Sequence, residues 1–133
     1  PFVATAEMAR VLKPGGKIIL TTRFIYPLHE TPHDYFRFTK YGLQKILEPH
    51  FTDIQIENET TTLETLAVLY QRLGFQTATF HFNPFRVVWH LLARMSVYFR
   101  YIPSKEWGDI RGDKRETNIL TSGYFVTATR KKS

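Results

Sequence analysis

Five residues near the start, Leu12-Lys13-Pro14-Gly15-Gly16, restrict the fold more than any other stretch. Proline cannot continue a helix, and glycine accepts the positive φ with which helices commonly end. Before this stop, residues 2–12 repeat apolar side chains at helical spacing: Phe2, Ala6 and Ala9 along one line, Met8 and Leu12 along another. Glu7 and Arg10 lie three apart on a polar face, and Lys13 suits the negative end of the helix dipole. After the stop, Lys17-Ile18-Ile19-Leu20-Thr21-Thr22 is apolar without alternation, the pattern of a strand covered on both faces. Helix, abrupt stop and buried strand together make half of an α/β unit.

The rest of the chain extends this pattern. Residues 23–38 form a long aromatic loop in which Pro27 and Pro32 exclude a continuous helix. Thr39 is placed to cap a helix through Leu47, with Leu43, Ile46 and Leu47 as its apolar face and Pro49 beyond its end. Residues 52–59 alternate, with Ile54 and Ile56 facing one way and Asp53, Gln55 and Glu57 the other, as in a half-buried strand. Helices are expected over 62–73, closed by Gly74, and over 85–101, preceded by Pro84. Residues 103–118 are polar and without periodicity, which predicts a loop. Residues 121–129 are rich in β-branched and aromatic side chains and predict a last strand. The expected order is helix, strand, helix, strand, two inserted helices, strand.

A length of 133 residues suits one domain, and 43% hydrophobic with 23% charged residues is ordinary for a globular chain. The absence of cysteine excludes disulfides, thiolate metal sites and cysteine nucleophiles. No apolar run reaches the roughly 18–20 residues that span a bilayer, and no signal peptide is visible. A cytoplasmic chain, at most peripheral to a membrane, is the expectation. The chain starts at Pro1 rather than Met, so it is expected to begin within a larger unit. Charge is uneven: residues 81–133 carry ten basic and four acidic side chains, whereas 51–80 carry one and four. Nucleic acid is not expected as a partner, because no strand combines aromatic and basic residues in the manner of such modules.

With these elements placed, Glu7-x-x-Arg10-Val11-Leu12-Lys13-Pro14-Gly15-Gly16-Lys17-Ile18-Ile19-Leu20-Thr21 resembles the stretch entering the fifth strand of class I S-adenosylmethionine-dependent methyltransferases. His29-Glu30-x-Pro32-His33-Asp34-Tyr35-Phe36-Arg37-Phe38-Thr39 is similar to a subgroup of the small-molecule branch, the type 11 methyltransferase domain, whose members often accompany polysaccharide or lipid-linked sugar biosynthesis. The resemblance covers residues 1–59 and 119–131. It implies an α/β fold: a partial Rossmann-like methyltransferase sheet with strands five to seven at 17–23, 52–59 and 121–129, the last antiparallel to the rest. Residues 60–118 would be a helical insertion, and strands one to four would precede Pro1. It further implies S-adenosylmethionine as cofactor of the intact protein and a small or sugar- or lipid-linked acceptor. The family's Gly-x-Gly-x-Gly loop and the acidic residue after its second strand have no counterpart in these residues. The only close glycine pair, Gly15-Gly16, follows a helix and precedes a strand, the reverse of a cofactor-cradling order. Residues 1–133 are thus expected to be a single partial domain, a C-terminal half that is inactive by itself.

The same resemblance puts the segment after strand five at the ligand-binding edge of the sheet. His29 and His33 are the candidate catalytic bases, since histidine can take an acceptor proton near neutral pH. Arg23, Asp34, Tyr35 and Arg37 are the candidate acceptor-binding residues, with either arginine suited to an anion. The alternative is a loop packed by its own aromatic rings, its His and Asp satisfying backbone groups. His29-Glu30-Thr31-Pro32-His33 also spells the zinc-peptidase pattern, but Pro32 opposes the helix that would put both imidazoles on one face. No metal is therefore expected. In 85–101, Arg86, His90 and Arg94 make a basic stripe beside a wide apolar face, which suits core packing, an oligomer interface or a membrane surface. A non-catalytic partner- or membrane-binding module is the alternative function. Arg111-Gly112-Asp113 spells an adhesion tripeptide that three common residues form by chance. Strand five without a fourth strand would expose an edge, so self-association is expected.

Overall fold

The computed structural model describes residues 1–76, 84–103 and 119–132, without the side chains of 76 and 84–86. All but the first residue of the predicted loop at 103–118, the Arg111-Gly112-Asp113 tripeptide and the Arg86 side chain therefore lie outside the described residues. The elements follow in the expected order: α1 (Phe2–Val11), β1 (Lys17–Arg23), α2 (Lys40–Leu47), β2 (Phe51–Asn58), α3 (Thr62–Gln76), α4 (Pro84–Met95), a 3-10 turn (Ser96–Tyr101) and β3 (Gly123–Arg130).

The fold is mixed α/β. The three strands lie in the order β1-β3-β2. β3 is antiparallel to both neighbours, so β1 and β2 run parallel to each other with the last strand between them. The register aligns Leu20 with Val126 and Val126 with Ile56, one layer of a continuous apolar face. Ala9 of α1 and Leu43, Ile46 and Leu47 of α2 pack on that face, with Phe51, Tyr124 and Ala128 completing the core. Thr39 caps α2 as expected, its Oγ1 accepting the Gly42 N–H at 3.1 Å.

Several local expectations are corrected. β1 was expected to be covered on both faces, yet its burial alternates and Ile19 is 70% exposed. α1 and α2 cover one face, β1 lies at the sheet edge, and Ile19, Thr21 and Phe125 stay exposed on the other face. In α1 the buried residues are Thr5 and Ala9, whereas Phe2 of the predicted apolar lines is exposed and Met8 is only partly covered. The glycine pair is a turn rather than a helix cap. Leu12 already ends α1 in extended conformation, the Gly16 N–H donates to the Lys13 carbonyl at 2.8 Å, and Gly15 has φ 77°. Pro14 then Gly15 is the order a type II turn requires.

The last correction concerns the inserted helices. Gly74 does not close α3 but lies inside it, buried against α4. A Cβ there would stand 2.8 Å from that of Ala93, so glycine permits the close approach of the two helices. The predicted helix over 85–101 changes at Ser96 into a 3-10 turn. Ser96 is buried at the change, and its hydroxyl donates to the Ala93 carbonyl at 2.7 Å.

Candidate functional site

Because β1 and β2 are parallel, their carboxyl ends lie at the same end of the sheet, where α/β folds hold ligands. Arg23 is the last residue of β1, Glu59 and Thr60 follow β2, and Ser122 precedes β3. The Phe24 N–H donates to the Ser122 carbonyl at 2.9 Å and the Glu59 N–H to the Gly123 carbonyl at 3.0 Å, which holds the three ends together. Gly123 has no side chain because a Cβ would collide with the Thr22 carbonyl oxygen and the Glu59 carboxylate.

Between these ends and α3 lies an open cleft of about 600 Å³, walled by Arg23, Tyr26, Glu59, Gln71, Arg72 and Phe75 among others. Two guanidinium groups approach one aromatic ring: Arg23 lies 5.0 Å and Arg72 5.3 Å from the centre of Tyr26. Arg72 also donates to the Tyr26 hydroxyl. Arg23 is anchored by Glu59, Nη1 to Oε2 at 2.6 Å. One carboxylate thus faces two guanidinium groups, and the cleft keeps an excess of positive charge. A guanidinium group suits bidentate recognition of a carboxylate or phosphate.

A ring of hydroxyls ties the cleft wall to α3. Thr60 Oγ1 meets Thr65 Oγ1 at 2.7 Å, donates to Ser122 Oγ at 3.0 Å and accepts the Ser122 N–H at 2.9 Å. Next to it, Thr61 and Glu64 form a capping box. The Glu64 N–H donates to Thr61 Oγ1 at 3.3 Å, and Glu64 Oε2 accepts the Thr61 N–H at 3.0 Å. The bond from the Thr61 amide lowers the Glu64 pKa. Partial burial opposes this, while the Thr61 hydroxyl and Arg100 add to it.

The sequence-predicted residues differ in their relation to the cleft. Arg23 lines the cleft. His29 borders it through Tyr26, with ring centres 5.9 Å apart and the imidazole Nδ1 3.8 Å from Glu30. His33 and Tyr35 pair with each other, Nδ1 to hydroxyl at 3.1 Å, on the exposed side of the loop. Asp34 and Arg37 tie the loop together. Asp34 Oδ2 accepts the His29 N–H at 2.8 Å and pairs with Arg37, which also donates to the Pro27 carbonyl at 3.2 Å. Residues 29–33 are not helical, and no three metal-ligating side chains converge among the described residues.

Arg72, Tyr26 and Glu59 are the cleft residues that sequence reading missed as a site. Arg72 had a signal, being the only basic residue between 51 and 80. The capping box was legible too, as Thr61-x-x-Glu64 ahead of an apolar run. A second cavity of about 300 Å³, between α1, β1 and α2, is walled mainly by apolar side chains such as Met8, Leu20, Phe36 and Phe38 and has no charged side chain in its lining. Comparison with family models, curated proteins and solved structures finds no match.

Proposed function

We propose that this chain is the C-terminal part of a class I S-adenosylmethionine-dependent methyltransferase whose acceptor carries a negative charge. The observation that carries the reading is the cationic cleft at the carboxyl ends of the two parallel strands, beside the loop 23–38. The antiparallel last strand agrees with the sheet that the resemblance implies. Arg23 and Arg72 would hold the anionic group of a small, sugar- or lipid-linked acceptor. His29, beside the Tyr26 ring, would take the acceptor proton, with the exposed His33–Tyr35 pair further along the loop. Asp34 and Arg37 would act by keeping the loop in shape rather than by touching the acceptor.

Among the described residues, the glycine pair does not fit the cofactor. The Gly15 amide donates to the Arg130 carbonyl at 3.1 Å and the Gly16 amide to Lys13, so neither is free to cradle a ligand. The reading therefore assigns S-adenosylmethionine to residues outside this sequence. The exposed edge of β1 and the open face around Ile19 are the surfaces that further strands and helices would cover.

The test begins with the reading frame upstream of Pro1. The expected extension carries a strand, a Gly-x-Gly-x-Gly turn and a helix, and its product binds S-adenosylmethionine. In that product Arg72→Gln raises KM for anionic acceptors about tenfold with little change in kcat, the mark of lost uniform binding. An extended product that neither binds S-adenosylmethionine nor transfers a labelled methyl group overturns the reading.

A further inference from the structure

We infer that the α3–α4 hairpin docks on an anionic lipid surface, a property separate from any methyl transfer. α4 is amphipathic in an unusual sense. Its inward side, with Ala93 and then Ser96, is buried, and the Trp89 ring packs against Tyr70 of α3, the ring centres 4.7 Å apart and the planes tilted by 48°. The opposite side is exposed and apolar: Val87 (72%), Val88, Leu91 (57%), Leu92 and Met95. At 100° per residue these five side chains form one continuous arc. The exposed face continues past the helix through Tyr98, Tyr101 and Ile102. An exposed apolar patch of this kind marks an interaction surface.

Charge identifies the occupant. No acidic residue occurs between Pro84 and Ile102, whereas Arg86, Arg94 and Arg100 do, and only Arg100 meets a carboxylate from outside the segment, Glu64, among the described contacts. Arg94 borders the apolar arc, followed along the helix surface by His90. A groove of about 450 Å³ is lined by Phe75, Val87, His90, Leu91 and Arg94, an apolar trough that also carries an arginine and an imidazole, the latter edge-on to Phe75 at 5.2 Å. This is the complement of an acyl chain with a phosphate at its head. Tyr98 and Tyr101 suit the water–hydrocarbon boundary, where an aromatic ring with a polar tip is favoured. No helix among the described residues is long and apolar enough to cross a membrane. The contact is therefore interfacial, with the helix lying along the surface.

The experiment is co-sedimentation of the full chain with vesicles of phosphatidylglycerol, compared with vesicles of phosphatidylcholine. The expected result is partition onto the anionic vesicles that weakens with added salt. The double substitution Val88→Glu and Leu91→Glu lowers this about tenfold or more and Arg94→Gln by a smaller factor. Both positions are exposed, so an unchanged circular-dichroism melt keeps folding apart from binding. Lys131→Gln with Lys132→Gln is expected to change partition little. Three results overturn the proposal. One is no partition of the parent chain. Another is loss of partition in the tail variant but not in the α4 variant. The third is a dimer in sedimentation that the α4 substitutions dissolve, which makes the face a contact between copies.

Discussion

Glu64 shows how one side chain serves two neighbours. It accepts the Thr61 amide at the start of α3, and its other oxygen lies 3.4 Å from Arg100 Nε. Its pKa is lowered in the folded chain. The stabilisation is therefore present above the unfolded carboxylate value of about 4.3 and is lost as pH falls through the lower folded value. Urea titrations at a series of pH values should show the parent chain more stable than Glu64→Gln at pH 7 and the gap closing in acid. A gap that stays constant with pH would assign the effect to packing. Asp34, whose side chain is only 11% exposed, does a related task in the loop after β1. Asp34→Asn should weaken the fold by about 1–3 kcal/mol through the loss of its charge-assisted bonds to Arg37 and the His29 amide. Proton chemical shifts of the loop should move, while those of β3 should not.

At the level of elements, the helix hairpin depends on a missing side chain. In an isolated helix, replacing Gly74 by alanine would stabilise by about 1 kcal/mol. Here the added methyl meets Ala93 at 2.8 Å and Trp89 at 3.4 Å. Overpacking costs about 1–3 kcal/mol and outweighs the propensity gain. Gly74→Ala is thus expected to lower stability in denaturant titration, and a stabilised variant would show that α3 and α4 do not approach this closely. The sequence did identify Gly74 as special, for the wrong reason. A glycine that closes a helix and one that admits a neighbour look alike until the partner helix is placed. The step from α4 into the 3-10 turn likewise lies where Ser96 is buried beside α3, its hydroxyl 2.7 Å from the Ala93 carbonyl and 3.4 Å from that of Ala67.

For the whole molecule, the sheet is finished on one face and open on the other. Its β1 edge is unpaired among the described strands, and Ile19 and Phe125 lie on the open face. Such an edge invites pairing with another chain, and an inserted charge discourages it. The chain is expected to sediment as concentration-dependent oligomers, and Ile19→Lys to shift it toward the monomer. A parent chain that stays monomeric at high concentration would contradict this. The position of Ile19 separates this association from contacts through α4.

Sequence alone determined the kinds of elements and most of their ends. Pro14-Gly15, Thr39 and the alternation around Ile54 and Ile56 act through neighbours a few residues away, and local sterics and hydrogen bonding decide them. It also placed Arg23 in a loop-and-strand context suited to a site. Only the tertiary structure decided that Arg72 joins Arg23 around Tyr26, since 49 positions separate the two arginines and nothing local relates them. It likewise decided that β1 is covered on one face rather than two. An unbroken run of apolar residues records a preference for burial, whereas actual burial depends on which elements are there to pack against it.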